Sequence, residues 1–236
     1  MKKITRGLST IFPDVLDLFF PKICCSCATE TINKETILCL VCSSTLNTIE
    51  TENFTNNNLT SKFSGRVVLQ SGFYLFDYYK NSIVQKLIHQ LKYNGREDIG
   101  QYFGELIAEI IISEKMFNEI DYIIPVPLHI KKEKKRGYNQ LDEMCYTISQ
   151  KTNISYDKNL VKRIENDSAQ SQKGLTDRTI LDKDSKFKIL DSELLKNKHV
   201  MLIDDVITTG TTMEYFAKEF IKINCKVHII SISVSK

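Results

Sequence analysis

The sequence has no tryptophan, and only four prolines and nine glycines in 236 residues. So little Pro and Gly excludes a collagen-like chain or a low-complexity coil. It also lacks a strong charge of either sign. The 32 Lys+Arg nearly cancel the 29 Asp+Glu, leaving a formal charge of +3. That excludes a histone-like polycation while allowing local basic patches. Long apolar runs are missing too. A stretch such as residues 107–112 is interrupted by Glu109, whereas a membrane-spanning helix needs ~20 apolar residues. The first twenty residues carry Pro13, Asp14 and Asp17 where an export signal would hold an unbroken apolar core. These absences predict a cytoplasmic protein that is not integral to a membrane. What is present is ordinary globular composition, 42% hydrophobic and 26% charged. The length suits one large domain, or one domain with a small module.

Cysteine is unevenly placed. Five of the seven, Cys24, Cys25, Cys27, Cys39 and Cys42, fall within nineteen positions. An odd total with no export signal argues against a disulfide framework. Cys24-x2-Cys27 and Cys39-x2-Cys42, eleven residues apart, form the ligand set of a tetrahedral four-thiolate zinc ribbon. Such a site has no open coordination position, so the metal is expected to be structural. Cys25 is left as a fifth, non-ligating thiol. Cys145 and Cys225 lie on apolar faces and read as core residues. The four histidines are dispersed, and no Ser/His/Asp or Cys/His triad spacing stands out.

Along the chain, Leu8, Ile11, Phe12, Val15, Leu16, Phe19 and Phe20 predict a short amphipathic helix broken near Pro13. Residues 48–61 are polar and Asn/Thr-rich, and predict a linker between two separate cores. Beyond it, residues 67–69 and 73–76 suggest a hairpin kinked at Gly72. Helical stripes follow at 83–91, 99–112 and 141–148, with a buried strand at 121–126. Residues 162–184 read as a long loop. A strand at 199–203, a helix at 213–223 and a strand at 227–234 complete the pattern. Strands alternating with helices predict a mainly parallel sheet covered on both faces.

The strongest chemical signal is VMLIDDVITTGTT, residues 200–212. An apolar strand ends in Asp204 and Asp205, and a Thr/Gly turn then opens a helix. Backbone N–H groups, hydroxyls and the positive end of the helix dipole converge there, which cradles a phosphate without a lysine. Gly210 lets the backbone approach the phosphate closely. Carboxylates beside such a turn suit sugar hydroxyls or a divalent cation. Five basic residues crowd into 131–136, a run that also reads as a solvated surface. Arg136 is better confined, between Gly137 and the Asn139-Gln140 pair, and its fork suits bidentate phosphate binding. Lys92, Arg96, Arg163 and Arg178 are second-rank candidates, each read singly as a surface charge.

VMLIDDVITTGTT resembles the phosphoribosyl pyrophosphate (PRPP) motif of type I phosphoribosyltransferases. IIPVPL at 123–128 with RGYNQ at 136–140, LKYNGR at 91–96, and Gln170 with Leu175 and Arg178 are similar to stretches of the ComF family. With the cysteine pairs, the resemblance covers nearly the whole chain. It implies a type I phosphoribosyltransferase fold preceded by a small zinc ribbon: residues 1–47 for the helix and ribbon, 48–61 for the linker and 62–236 for the catalytic-type domain. It implies that Asp204 and Asp205 bind the ribose 2′ and 3′ hydroxyls. Thr208, Thr209, Gly210, Thr211 and Thr212 would hold the 5′-phosphate, and the loop from Val126 to His129, with Arg136, the pyrophosphate. Mg2+ would accompany PRPP.

The family acts in competence, so the resemblance implies PRPP or nucleotide binding coupled to handling incoming single-stranded DNA, with a DNA-uptake helicase or channel as a possible partner. The alternative is an active enzyme transferring phosphoribose to a nitrogen acceptor. Only twenty-four residues follow Thr212, so an acceptor pocket is expected from the N-terminal region.

Overall fold

The computed structural model describes residues 22–31, 36–49, 52–164 and 186–236. The expected N-terminal helix, and Gln170, Leu175 and Arg178, lie outside the described residues. The ordered elements are α1 (Leu40–Thr45), α2 (Asn58–Ser61), β1 (Ser71–Tyr78), α3 (Ile83–Tyr93), α4 (Glu97–Ser113), β2 (Tyr122–Pro125), α5 (Ile130–Arg136), α6 (Asp142–Thr152), β3 (Ser155–Tyr156), β4 (Val161–Arg163), β5 (Phe187–Ile189), α7 (Ser192–Leu195), β6 (His199–Ile207), α8 (Thr211–Ile221) and β7 (Lys226–Ser235).

Five strands form one all-parallel sheet in the order β1-β7-β6-β2-β3. β4 and β5 pair antiparallel beside it. The side-chain alternation of a strand divides the core into two layers. On β6, Met201 and Ile203 face one cluster with α3, α4 and α6, while Val200 and Leu202 face the other with α8. A sheet buried on both faces needs near-continuous apolar strands, and Val200 to Ile203 are all fully buried.

The strand order places a candidate crevice. From β6 the chain crosses through α8 to β7 on one side; from β2 it crosses through α6 to β3 on the other. The two crossovers pack on opposite faces. Between β6 and β2 the connections therefore diverge at the strands' carboxyl ends, where open parallel sheets bind ligands.

Two expectations are corrected. There is no hairpin at 67–76: β1 is a single strand pairing parallel with β7, and residues 67–69 precede it. Gly72 is not a bulge but a close approach. A β-carbon there would stand 2.6 Å from the Ile229 carbonyl oxygen and 2.8 Å from Leu59. Nor do residues 48–61 behave as a linker between separate cores. Phe54 packs edge-on against Phe73 and Phe117, at 5.8 and 5.2 Å between ring centres. Asn57 caps α2, and Leu59 is fully buried. Composition hid this because the Asn and Thr side chains serve caps and turns rather than solvent.

Candidate functional site

The Thr/Gly turn joins β6 to α8 at the carboxyl edge. Gly210 takes φ +77°, a left-handed conformation that reverses the chain from strand to helix. Thr208, Thr209, Thr211 and Thr212 are exposed, and Gly210 is buried beneath them. Gly210 offers no capping side chain to α8, and the Thr211 N–H meets only a long contact of 3.4 Å to Thr209 Oγ1, so the positive end of the helix dipole lies at this exposed turn. The Thr209 and Thr211 hydroxyls lie 3.0 Å apart across the turn. This surface can hold a phosphate.

The turn is braced by residues that the sequence did not mark. Arg66 donates to the Thr209 carbonyl at 3.2 Å and to Glu214 Oε2 at 2.9 Å. Phe63, fully buried, packs under Gly210. Glu214 also receives Lys218 at 2.7 Å, and these cations hold its carboxyl below the usual range. No spacing pattern pointed to Arg66 or Phe63, since they meet the turn only in three dimensions.

Asp204 and Asp205 stand at the end of β6, beside the turn. Asp204 Oδ1 accepts the Asp205 backbone N–H at 2.9 Å. Burial and the adjacent charge of Asp205 push the Asp204 carboxyl up to about 7, with Lys92 and Arg163 opposing the rise. Asp205 is buried and doubly held: Lys92 Nζ donates to Oδ1 at 2.6 Å and Gln140 Nε2 to Oδ2 at 2.6 Å. The Asp205 side chain is nearly buried while 23% of that of Lys92 stays exposed, so removing Lys92 leaves a largely desolvated carboxylate short of its counter-charge. Lys92 is thus no plain surface charge, contrary to its single-residue reading. Arg96 does follow that reading, forming a two-pronged pair with Asp98.

The segment at 136–140 closes the crevice from the β2 side. Asn139 donates to the Val126 carbonyl at 3.3 Å, tying the segment to the end of β2. Val126 is buried and donates its N–H to the Ile203 carbonyl at 2.9 Å, so it contributes backbone rather than side chain. Arg136 donates to Gln140 and lies 5.3 Å from the centre of the Tyr93 ring. The basic run preceding it is helix α5, begun by His129, whose Nδ1 accepts the Lys131 N–H at 3.2 Å; Lys131 to Lys135 are exposed along it. The residues expected to hold sugar and phosphate all gather at this edge. Among the candidate cations, Arg178 is outside the described residues.

The cysteine cluster sits elsewhere. The sulfurs of Cys24, Cys27, Cys39 and Cys42 all lie within 4.8 Å of one another, with Cys27 and Cys39 3.6 Å apart. A tetrahedral ion with bonds of about 2.3 Å separates its thiolates by ~3.8 Å, so the four can hold a zinc ion. Thr29 lies 2.9 Å from Cys27 Sγ, and the Cys42 N–H donates to Cys39 Sγ at 3.5 Å. These contacts lower both thiols. Cys25 is buried instead against α3, its carbonyl accepting Gln90. Cys24, Cys25, Ile37, Leu38 and Cys42 share a core cluster with Leu87, Ile88 and Phe103.

Residues 106–236 match the phosphoribosyl transferase domain family. A DNA utilization protein YhgH of Shigella flexneri is 30% identical over 136 residues, 56% of this chain and 58% of that protein. Competence protein F of Haemophilus influenzae is 29% identical over 135 residues, 56% of this chain and 59% of that one. The chain thus spans under three fifths of the length of these relatives. Among solved structures, a glutamine PRPP amidotransferase from B. subtilis aligns at a TM-score of 0.39 and 16% identity, over 60% of this chain and 30% of that one. The family match begins within α4 and takes in β2, β6, β7 and the crevice between them. On that match, the chain belongs to the phosphoribosyl transferase domain family.

Proposed function

We propose that the chain binds PRPP, or a nucleotide of the same sugar-phosphate form, in the crevice between β2 and β6. It uses that site while handling single-stranded DNA that enters a cell during natural transformation, in the cytoplasm. The observation carrying the reading is the juxtaposition of a dicarboxylate with an open Thr/Gly phosphate turn. Asp204 and Asp205 accept the ribose 2′ and 3′ hydroxyls. Thr208 to Thr212 take the 5′-phosphate on backbone N–H groups and hydroxyls. The loop from Val126 to His129 and Arg136 meet the pyrophosphate, whose charge Mg2+ neutralises. Hydroxyls, carboxylates and carbonyls at this edge are the hard oxygen chemistry that such a complex tolerates. Zinc on Cys24, Cys27, Cys39 and Cys42 is structural. Among the described residues no helix is long and apolar enough to cross a membrane, which accords with a protein that meets DNA, and a helicase or channel, from the aqueous side.

A second reading is transfer of phosphoribose to a nitrogen nucleophile. An open cavity of about 400 Å³ beside Gln140, lined also by Leu91, Tyr138, Tyr146 and Tyr156, has room for an acceptor. In that reaction the nitrogen bonds to ribose C1, the C1–O bond to pyrophosphate breaks, and the acceptor's proton leaves to solvent.

Titration calorimetry with PRPP and Mg2+ tests the first reading. The Asp204→Asn, Asp205→Asn double variant keeps shape and loses charge. Hydrogen bonds to charged groups are worth about 1.5–3 kcal/mol each, so PRPP affinity should fall roughly a hundredfold or more. Affinity for pyrophosphate alone should hold or rise. Equal PRPP affinity in the double variant rejects the reading. Pyrophosphate release assayed against bases, ammonia and single-stranded DNA decides turnover.

A further inference from the structure

Asp205 is held by residues that its own motif does not contain. Lys92, near the end of α3, and Gln140 each donate at 2.6 Å, one to each carboxylate oxygen. Asp205 is 5% exposed, so both contacts form where little water competes. Each holder is itself held. Gln140 is engaged by Arg136, whose guanidinium lies over Tyr93. The carbonyl of Leu91, next to Lys92, accepts the Tyr138 hydroxyl at 2.6 Å. The charged groups facing the Asp204–Asp205 pair are Lys92 from α3, Arg163 from β4 and, through Gln140, Arg136.

We propose that Lys92 is a positioning residue of the sugar site: it fixes one oxygen of Asp205 and balances its charge, so that the remaining lone pairs are presented to a ribose diol. The inference rests on the PRPP-type reading of the crevice. A carboxylate offers about four acceptor positions, so one contact at each oxygen leaves capacity for hydroxyls. Without Lys92, two neighbouring carboxylates repel, and Asp205, held by Gln140 at one oxygen only, can turn about that contact. The change misaligns an acceptor aimed at the sugar while leaving the Thr/Gly turn intact. Lys92 lies before residue 106, where the family match begins. The part of the chain that adds α3 therefore supplies a determinant of sugar recognition.

The test compares adenosine 5′-monophosphate, its 2′-deoxy form and inorganic phosphate by calorimetry on the full chain, wild type against Lys92→Met and Lys92→Arg. The shared base cancels between the two nucleotides, so their ratio isolates the 2′-hydroxyl. Wild type should prefer the ribonucleotide by at least about tenfold. In Lys92→Met that preference should collapse towards unity with phosphate affinity unchanged, and Lys92→Arg should restore it. If Lys92→Met does not fold, Lys92→Gln, which keeps a donor without the charge, should show the same collapse. Equal weakening of all three ligands would make Lys92 a phosphate ligand, and tightening of all three would make it a plug; both overturn the proposal. A wild type without ribose preference rejects the diol reading itself. A discriminating wild type with an equally discriminating Lys92→Met rejects only the role of Lys92.

Discussion

The ring of Phe63 occupies the space into which a side chain at Gly210 would grow. A β-carbon at position 210 would stand 3.0 Å from Phe63 Cε1 and 3.1 Å from Cζ. The segment before β1 thus shapes the Thr/Gly turn from beneath, and Arg66 braces it from the side.

Gly210→Ala should therefore be impaired twice over. The left-handed conformation costs a non-glycine residue about 1–2 kcal/mol, and the methyl group meets a buried ring. We expect lower stability in urea unfolding and loss of phosphate binding. Phe63→Ala should lower stability by about 3–5 kcal/mol yet relieve the contact. In the double variant the two effects should then sum to less than their separate values. Strict additivity would show that the contact has no energetic consequence.

Zinc content is the next expectation. Elemental analysis of protein purified under reducing conditions should give one zinc per chain, lost in Cys39→Ser. Metal binding in isolated four-ligand modules contributes on the order of 10–16 kcal/mol of folding energy. Because Cys24, Cys25 and Cys42 share a core with Leu87 and Ile88, the loss should lower the melting temperature of the whole chain. A transition confined to a small early step, with the main one unmoved, would mean that the cysteine segment is energetically separate.

A pH dependence follows from the opposite end of the sheet. His228, 3% exposed, bonds Ser71 Oγ at 2.6 Å and faces His199 Nδ1 at 3.2 Å. Burial, then the charges of His199 and Lys226, push it down to about 4. The unfolded chain binds this proton near pH 6.5 and the folded one does not. Stability from this group is therefore present above about pH 6.5 and lost as pH falls towards 4. The loss should reach on the order of 3 kcal/mol. Urea unfolding between pH 7.5 and 4.5 should show this slope in wild type and a flatter one in His228→Asn. Parallel slopes would assign the dependence to other groups.

For nucleic acid, the exposed lysines of α5 are expected to carry modest, sequence-independent single-strand binding. Each phosphate contacted adds roughly 0.7 to the slope of log affinity against log salt. Replacing Lys131, Lys132, Lys134 and Lys135 with Glu should weaken binding and flatten that slope. An unchanged slope would place the surface elsewhere on the chain.

Much of the site was legible in residue order because its chemistry is local. Asp204, Asp205 and the Thr/Gly turn are consecutive, and the strand-to-helix transition that displays them follows from apolar periodicity and one glycine. The cysteine spacing was legible for the same reason, since each x2 pair brings two sulfurs together within a single turn. Helices α3, α4 and α6 and strands β2, β6 and β7 could be read from their apolar faces to within a few residues. The hairpin and the linker were misread where that reasoning fails. Gly72 answers to a neighbouring strand, and the Asn/Thr-rich segment buries Phe54 and Leu59 among residues far along the chain.

The amino-acid sequence by itself determined the class of fold, the Thr/Gly turn, the adjacent carboxylates and a four-thiolate set, because propensity, period and spacing act over a few residues. Only the tertiary structure decided that Lys92 and Gln140 grip Asp205, that Phe63 and Arg66 support the turn, and that the cysteine segment packs on α3 and α4. Those pairs are separated by 113, 65, 147, 143 and about 60 positions. Their meeting depends on strand order and on which face each helix buries, quantities that no short window of sequence contains.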